Sequence, residues 1–137
     1  MTKGARMADV GNTSSKIEWR LELVQVPVSD VDRAKAFYVD RVGFLAEHDH
    51  RVSEELRFVQ LSPPGSACSI ALTTGAHRMQ PGSVEGLQLV VDDADAARAE
   101  LLERGVEAGE VQEFPWGRFV FFADPDGNGW AVQEILG

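Results

Sequence analysis

Cysteine is almost missing from this chain of 137 residues, Cys68 being the only one. A lone thiol excludes an intrachain disulfide and any multi-cysteine metal site, and it fits a reducing compartment. Basic residues are also scarce, 13 Lys and Arg against 22 Asp and Glu, for a formal net charge of -9. Phosphate backbones are held by clustered Lys and Arg, so nucleic acid is excluded as a partner. The acidic balance steers cations toward the surface and, above all, keeps the chain soluble. No apolar run approaches the ~20 residues that span a bilayer, so no membrane partner is expected. The opening "MTKGARMADVGNTSSK" has no apolar core of a signal peptide and reads as a flexible tail, residues 1–16. These absences together imply a cytoplasmic protein. What is present, 44% apolar and 26% charged residues, suits one soluble domain over 17–137.

That domain is written twice. Residues 28–41, "VSDVDRAKAFYVDR", match 91–104, "VDDADAARAELLER", at a constant offset, with Val, Asp, Asp, Ala, Ala and Arg in common. Each copy follows an alternating apolar run, "LELVQVPV" or "GLQLVV". Val31, Ala34, Tyr38 and Val42 form one helical stripe; Ala94, Ala97 and Leu101 form the other. Asp30 and Asp93 stand at the N-cap positions, where a carboxylate accepts an orphan backbone N–H. Further strand-like runs flank the turns "PPGSA" and "PDGN", and "GAHRMQPGS" is punctuated as a linker that also carries His77. The predicted organisation is βαβββ twice: module one at 17–74, a linker at 75–83 and module two at 84–137.

The segments "VPVSDVDRAKAFYVDRVGF", "GLQLVVDDADAARAELLERG" and "WGRFVFFADPDGNGWAVQE" resemble the vicinal oxygen chelate superfamily of glyoxalases, bleomycin-resistance proteins and extradiol dioxygenases. The resemblance runs over residues 18–136. It implies an α+β fold in which two βαβββ modules curl into a cup-shaped half-barrel around a ligand, commonly in a homodimer. In the enzymes of that superfamily a divalent metal is held by His or Glu from four strands. Those four positions fall here on Leu23, Ala71, Gly86 and Ala131. None is a donor, and first-row metals need imidazole, carboxylate or thiolate. A one-residue slip would turn the neighbours to the other sheet face. The expectation is therefore no metal, no cofactor and none of the usual chelation chemistry.

Strand alternation gives a second view of the cup. One parity is wholly apolar: Val24, Val26, Val28, Ile70, Leu72, Leu87, Leu89, Val91, Trp130 and Val132, joined by Val59 and Leu61. That side suits packing on the helices. The other parity mixes small with uncharged polar groups: Leu23, Gln25, Phe58, Gln60, Ser69, Ala71, Thr73, Gly86, Gln88, Val90, Ala131 and Gln133. These amides either orient a neutral polar ligand or bond one another, backbone and water. In the "EFPWGR" segment, with Glu113 and Phe114, Trp116 is either an aromatic wall or a loop anchor. Arg118 either meets a ligand oxygen or forms a surface ion pair. His48 and His50 share a strand face and are the remaining candidates for an unconventional metal site; Glu22 and Glu134 face outward.

Two functions are compatible with this reading. The first is a metal-independent binder of a small molecule, which needs only shape, apolar area and a few hydrogen bonds. The second is a lyase, isomerase, epimerase or dioxygenase using an unconventional metal site or acid–base chemistry, for which a titratable group must reach the substrate.

Overall fold

The computed structural model describes residues 16–74 and 78–135. The tail at 1–15, His77 with its two neighbours at 75–76, and residues 136–137 lie outside the described residues. The chain folds as β1 (Leu23–Pro27), α1 (Val31–Ala36) with a π-helical continuation (Phe37–Val42), β2 (Leu45–Arg51), β3 (Arg57–Ser62) and β4 (Ser69–Thr73). It then repeats: β5 (Leu87–Val91), α2 (Ala94–Glu103), β6 (Gln112–Phe114), β7 (Gly117–Ala123) and β8 (Gly129–Ile135). The strands make two open four-stranded sheets, ordered β1-β4-β3-β2 and β5-β8-β7-β6. Each has one parallel pair, β1 with β4 and β5 with β8. The remaining neighbours are antiparallel.

Both helices begin as the aspartates dictate. Asp30 accepts from the Arg33 N–H and Asp93 from the Ala96 N–H, each at 3.0 Å, from extended backbone. The first helix departs from the plain α-helix predicted by its stripe. After Ala36 it widens into a π turn that ends at Gly43, φ +98°, where the N–H groups of Gly43 and Phe44 both reach the Tyr38 carbonyl. The widened turn buries Tyr38 completely and leaves Val42 half-buried.

One core serves both repeats. Val26, Val59, Leu61 and Leu72 from the first sheet share it with Val120, Phe122, Trp130 and Val132 from the second. The apolar parity therefore faces the helices, as alternation predicted, because only that face can be desolvated against them at a gain of about 1.5–3 kcal/mol per large side chain. Trp130 meets Tyr38 and Phe44 from the first repeat at centroid distances of 5.7 and 5.6 Å.

The "DPDGN" turn is the second tie between repeats. Asp124 accepts from the Tyr38 hydroxyl (2.7 Å), the Asn128 amide (2.8 Å) and the backbone N–H groups of Asp126 and Asn128. Asn128 also donates to the Pro27 carbonyl at 2.9 Å and accepts from the Val84 N–H. Asp126 accepts from the hydroxyl and N–H of Ser29. Gly82 touches this turn so closely that an added Cβ would lie 2.0 Å from the Asp126 carbonyl oxygen, and its φ of +82° independently favours glycine.

On the first sheet, β2 is an exposed edge strand interrupted by a register shift between Ala46 and His48. Asp49 fastens it, accepting from Arg57 on β3 and Lys35 on α1. The Arg57 bonds, and then the Lys35 bond, hold the Asp49 carboxyl well below the usual carboxylate range. Among the described residues no helix is long and apolar enough to cross a membrane.

Candidate functional site

The four positions of the expected chelate are occupied by side chains that cannot hold an ion. Ala71 sits between Gln25 and Gln60 in the first sheet, and Ala131 sits between Gln88 and Phe121 in the second. Among the described residues no three His, Cys, Asp or Glu come together in a group suited to a metal. The residues present do not fit the metal that the resemblance implies.

The polar face of the first sheet is a set of hydrogen-bonded rows. Gln25, Ala71, Gln60 and His48 align across four strands, with Thr73, Phe58 and His50 in the next row. Thr73 donates to the Gln25 carbonyl oxygen at 2.7 Å. The Gln60 amide donates to Ser69 Oγ at 3.2 Å, and Ser69 shares a hydrogen with Ser62. Ser69, Ala71, Thr73 and Gln60 are buried, while Leu23, Gln25 and Phe58 are half-buried. His48 and His50 stack at 5.7 Å on this same face, at its outer edge.

The second sheet differs in character. The Gln88 amide donates to the Gln133 carbonyl oxygen, and the Gln133 amide donates to the Trp116 carbonyl at 3.2 Å. Gly117 makes that arrangement fit, because a Cβ there would lie 2.9 Å from the Gln133 amide nitrogen. Beside the amides runs an aromatic ladder. Trp116 stacks on Phe114 at 5.5 Å, Phe114 meets Phe119 edge-on, and Phe119 stacks on Phe121 at 5.9 Å. Trp116 is 62% exposed and Phe121 41%.

Phe119 and Phe121 are residues of this face that alternation overlooks. The run "FVFF" is apolar on both faces, so parity alone assigns neither side; pairing β7 with "AVQ" of β8 places Phe119 opposite Gln133 and Phe121 opposite Ala131. Arg118 stands apart from them. It pairs with Glu134, on the opposite face of the strand, where it binds Asp95 at 2.9 Å and Glu134 at 3.4 Å. Glu134 also accepts from the Ala94 N–H, so this cluster anchors the start of α2. Among the described residues no hydrogen bond links the Gln25 set to the Gln88 set. Each of the four amides nevertheless has a protein partner, as the buried Gln60 and Gln133 require.

Two adjoining clefts open here. One, of about 260 Å3, is lined by Glu85, Gly86, Phe121, Gly129 and Ala131, with Phe122 and Trp130 behind. The other, of about 300 Å3, separates the edge strands β1 and β5 and includes Ser69, Gly86, Gln88, Cys68, Leu21 and Trp130. They share Gly86 and Trp130. Burial pushes the Cys68 thiol up, away from the reactive thiolate.

Two βαβββ repeats, open sheets and amide-lined faces define a protein of the paired βαβββ class. The sequence model of the Glyoxalase/Bleomycin resistance protein/Dioxygenase superfamily matches residues 20–132, and the chain belongs to that superfamily. TnmS3, an antibiotic binding protein from Streptomyces sp. CB03234, is 40% identical and superposes with a TM-score of 0.81, over 90% of this chain and all of its own. A glyoxalase/bleomycin resistance protein from the same strain is 42% identical, TM-score 0.74, over 83% of this chain and 99% of its own. YetH of Bacillus subtilis (strain 168), an uncharacterized protein, is 31% identical over 81% of this chain and 94% of its own length.

Proposed function

We propose that the protein is a cytoplasmic, metal-independent binder that sequesters a small organic molecule of the antibiotic type. The observation that carries this reading is the surface around Gly86 and Ala131. At Gly86 an added Cβ would meet nothing within 4 Å; one cleft there is lined by Ala131 and by Phe121, the end of the aromatic ladder, and the adjoining cleft includes Gln88, which donates to Gln133. Aromatic faces supply stacking area, and an amide supplies direction without charge. The likeness to an antibiotic binding protein supports the same reading. The proposed site comprises Leu23, Gln25, Phe58, Gln60, Ser69, Ala71 and Thr73 from the first sheet. Gly86, Gln88, Phe119, Phe121, Ala131, Gln133 and the exposed Trp116 complete it from the second.

The test is a thermal-shift screen with flat aromatic compounds. A ligand present at a hundred times its Kd should contribute about 2.7 kcal/mol of stability. Gln88→Leu should weaken the best hit about tenfold, the loss expected for an unmade hydrogen bond. Affinity unchanged by that substitution removes Gln88 from the site. Metal analysis after dialysis should find less than a tenth of an equivalent of Zn, Ni, Mn or Fe; a full equivalent retained would favour the catalytic alternative.

We further propose a homodimer. Val90 and Ile135, each 61% exposed, share one face of the second sheet, and Val90 stands on its unpaired edge strand β5. Large apolar side chains exposed at and near an unpaired edge strand are a cost to a monomer and an interface to a dimer. Sedimentation equilibrium at micromolar concentration should give twice the chain mass, and Val90→Glu should shift it toward monomer. A monomer throughout would remove this proposal.

A further inference from the structure

The cleft at the starts of β5 and β8 carries a feature that a neutral amide-lined site does not need. Glu85 lies at its mouth, over Gly129, whose added Cβ would fall 3.9 Å from the Glu85 Cγ. Neighbouring acidic groups on this repeat have partners: Glu134 binds Arg118 and a helix N–H, Asp124 accepts four hydrogen bonds, and Asp126 binds Ser29 and Arg33. Glu85 makes no ion pair or side-chain hydrogen bond with any described residue. Among the described residues no Lys, Arg or His lines the cleft with it.

Phe121, 41% exposed, lines the same cleft, together with the small residues Gly86, Gly129 and Ala131. At Gly86 an added Cβ would meet nothing within 4 Å, so the cleft leaves room there for a substituent. A free carboxylate, an aromatic ring and otherwise uncharged lining are complementary to an organic cation, which gains from the ring quadrupole and from the carboxylate together. A bare metal ion fits poorly. Ca2+ takes six to eight oxygen ligands, and among the described residues Glu85 is the only carboxylate lining the cleft. The net charge of -9 adds attraction for a cationic ligand at long range.

We propose that Glu85 and Phe121 form an ammonium-selective subsite, so that the preferred ligands are aromatic compounds bearing a basic amine. This rests on the ligand-binding reading above and names the charge class that the same site selects.

Two probes of nearly equal shape isolate the charge: 1-naphthylmethylamine, protonated at pH 7.5, and 1-naphthalenemethanol. In titrations followed by ligand-observed NMR on the full chain in low salt, the amine should bind about tenfold more tightly than the alcohol. The ratio should shrink at 0.5 M salt, where the Debye length falls to about 4 Å. Glu85→Gln should bring it to within twofold of unity. The substitution is nearly isosteric at an exposed position, and an unchanged unfolding midpoint confirms that it folds. Equal binding of the two probes, a ratio that survives Glu85→Gln, or no binding of either would each overturn the subsite. If the alcohol binds and Gln88→Leu still weakens it, only the charge selectivity is lost. If larger flat aromatics also fail to shift the melting temperature, the binding function itself falls.

Discussion

Asp124→Ala is expected to lose about 3–5 kcal/mol of unfolding free energy, enough to leave the chain close to its unfolding threshold. The carboxylate is 5% exposed and receives four hydrogen bonds. Alanine removes every acceptor at once, and each buried donor left unsatisfied costs about 1–3 kcal/mol before water relieves part of the loss. Tyr38→Phe removes one donor and should cost about 1 kcal/mol. Urea denaturation measures both, and a loss below 1 kcal/mol for Asp124→Ala would show that the turn does not hold the repeats together.

The same latch has an optical signature, because Tyr38 is the only tyrosine in the chain. Burial, and then the charge of Asp124, raise the phenol far above its ordinary pKa. The folded state thus holds this proton more tightly than the unfolded chain does. Its contribution is complete below the unfolded value of about 10 and is lost as pH rises beyond it. Tyrosinate absorbance should therefore appear only together with unfolding. A native protein that ionises near pH 10 would contradict the buried latch.

Trp130→Ala should be comparably damaging, about 3–5 kcal/mol. Its ring is nearly buried and contacts Tyr38, Phe44 and Phe122, while its indole N–H donates to the Tyr38 hydroxyl at 2.9 Å. Removing it leaves a void between the repeats that close-packed neighbours cannot fill. Trp130→Phe keeps a ring there and gives up the hydrogen bond, for an expected cost of about 1–2 kcal/mol. Trp130 also backs both clefts, so the alanine variant should bind the best ligand more weakly even where it remains folded. A loss under 1.5 kcal/mol for Trp130→Ala would mean that the two sheets are stabilised independently.

Much of this architecture is legible in the chain. Asp30 and Asp93 cap their helices because local carboxylates compete well for the first N–H groups, and sixty-three residues of offset reveal the duplication. Period-two alternation separates Val24 and Val26 from Gln25, and Trp130 and Val132 from Ala131, because one strand can desolvate only one face against a helix. The same rule fails on β7, where both faces are apolar, and so it misses Phe119 and Phe121. It also says nothing of Glu85, which lies just outside β5 and is brought to the cleft by the path of the preceding loop.

By itself, the sequence determined the repeat, the helix caps, the apolar side of each sheet and the absence of donors at Leu23, Ala71, Gly86 and Ala131. These follow from residue identity and short-range geometry. Only the tertiary structure decided that Tyr38 meets Asp124 across 86 positions, that Arg118 turns to α2, and that an aromatic ladder and an unpaired carboxylate border one cleft. Such placements depend on how two sheets settle around one shared core, and no local periodicity encodes which distant groups that packing brings within reach.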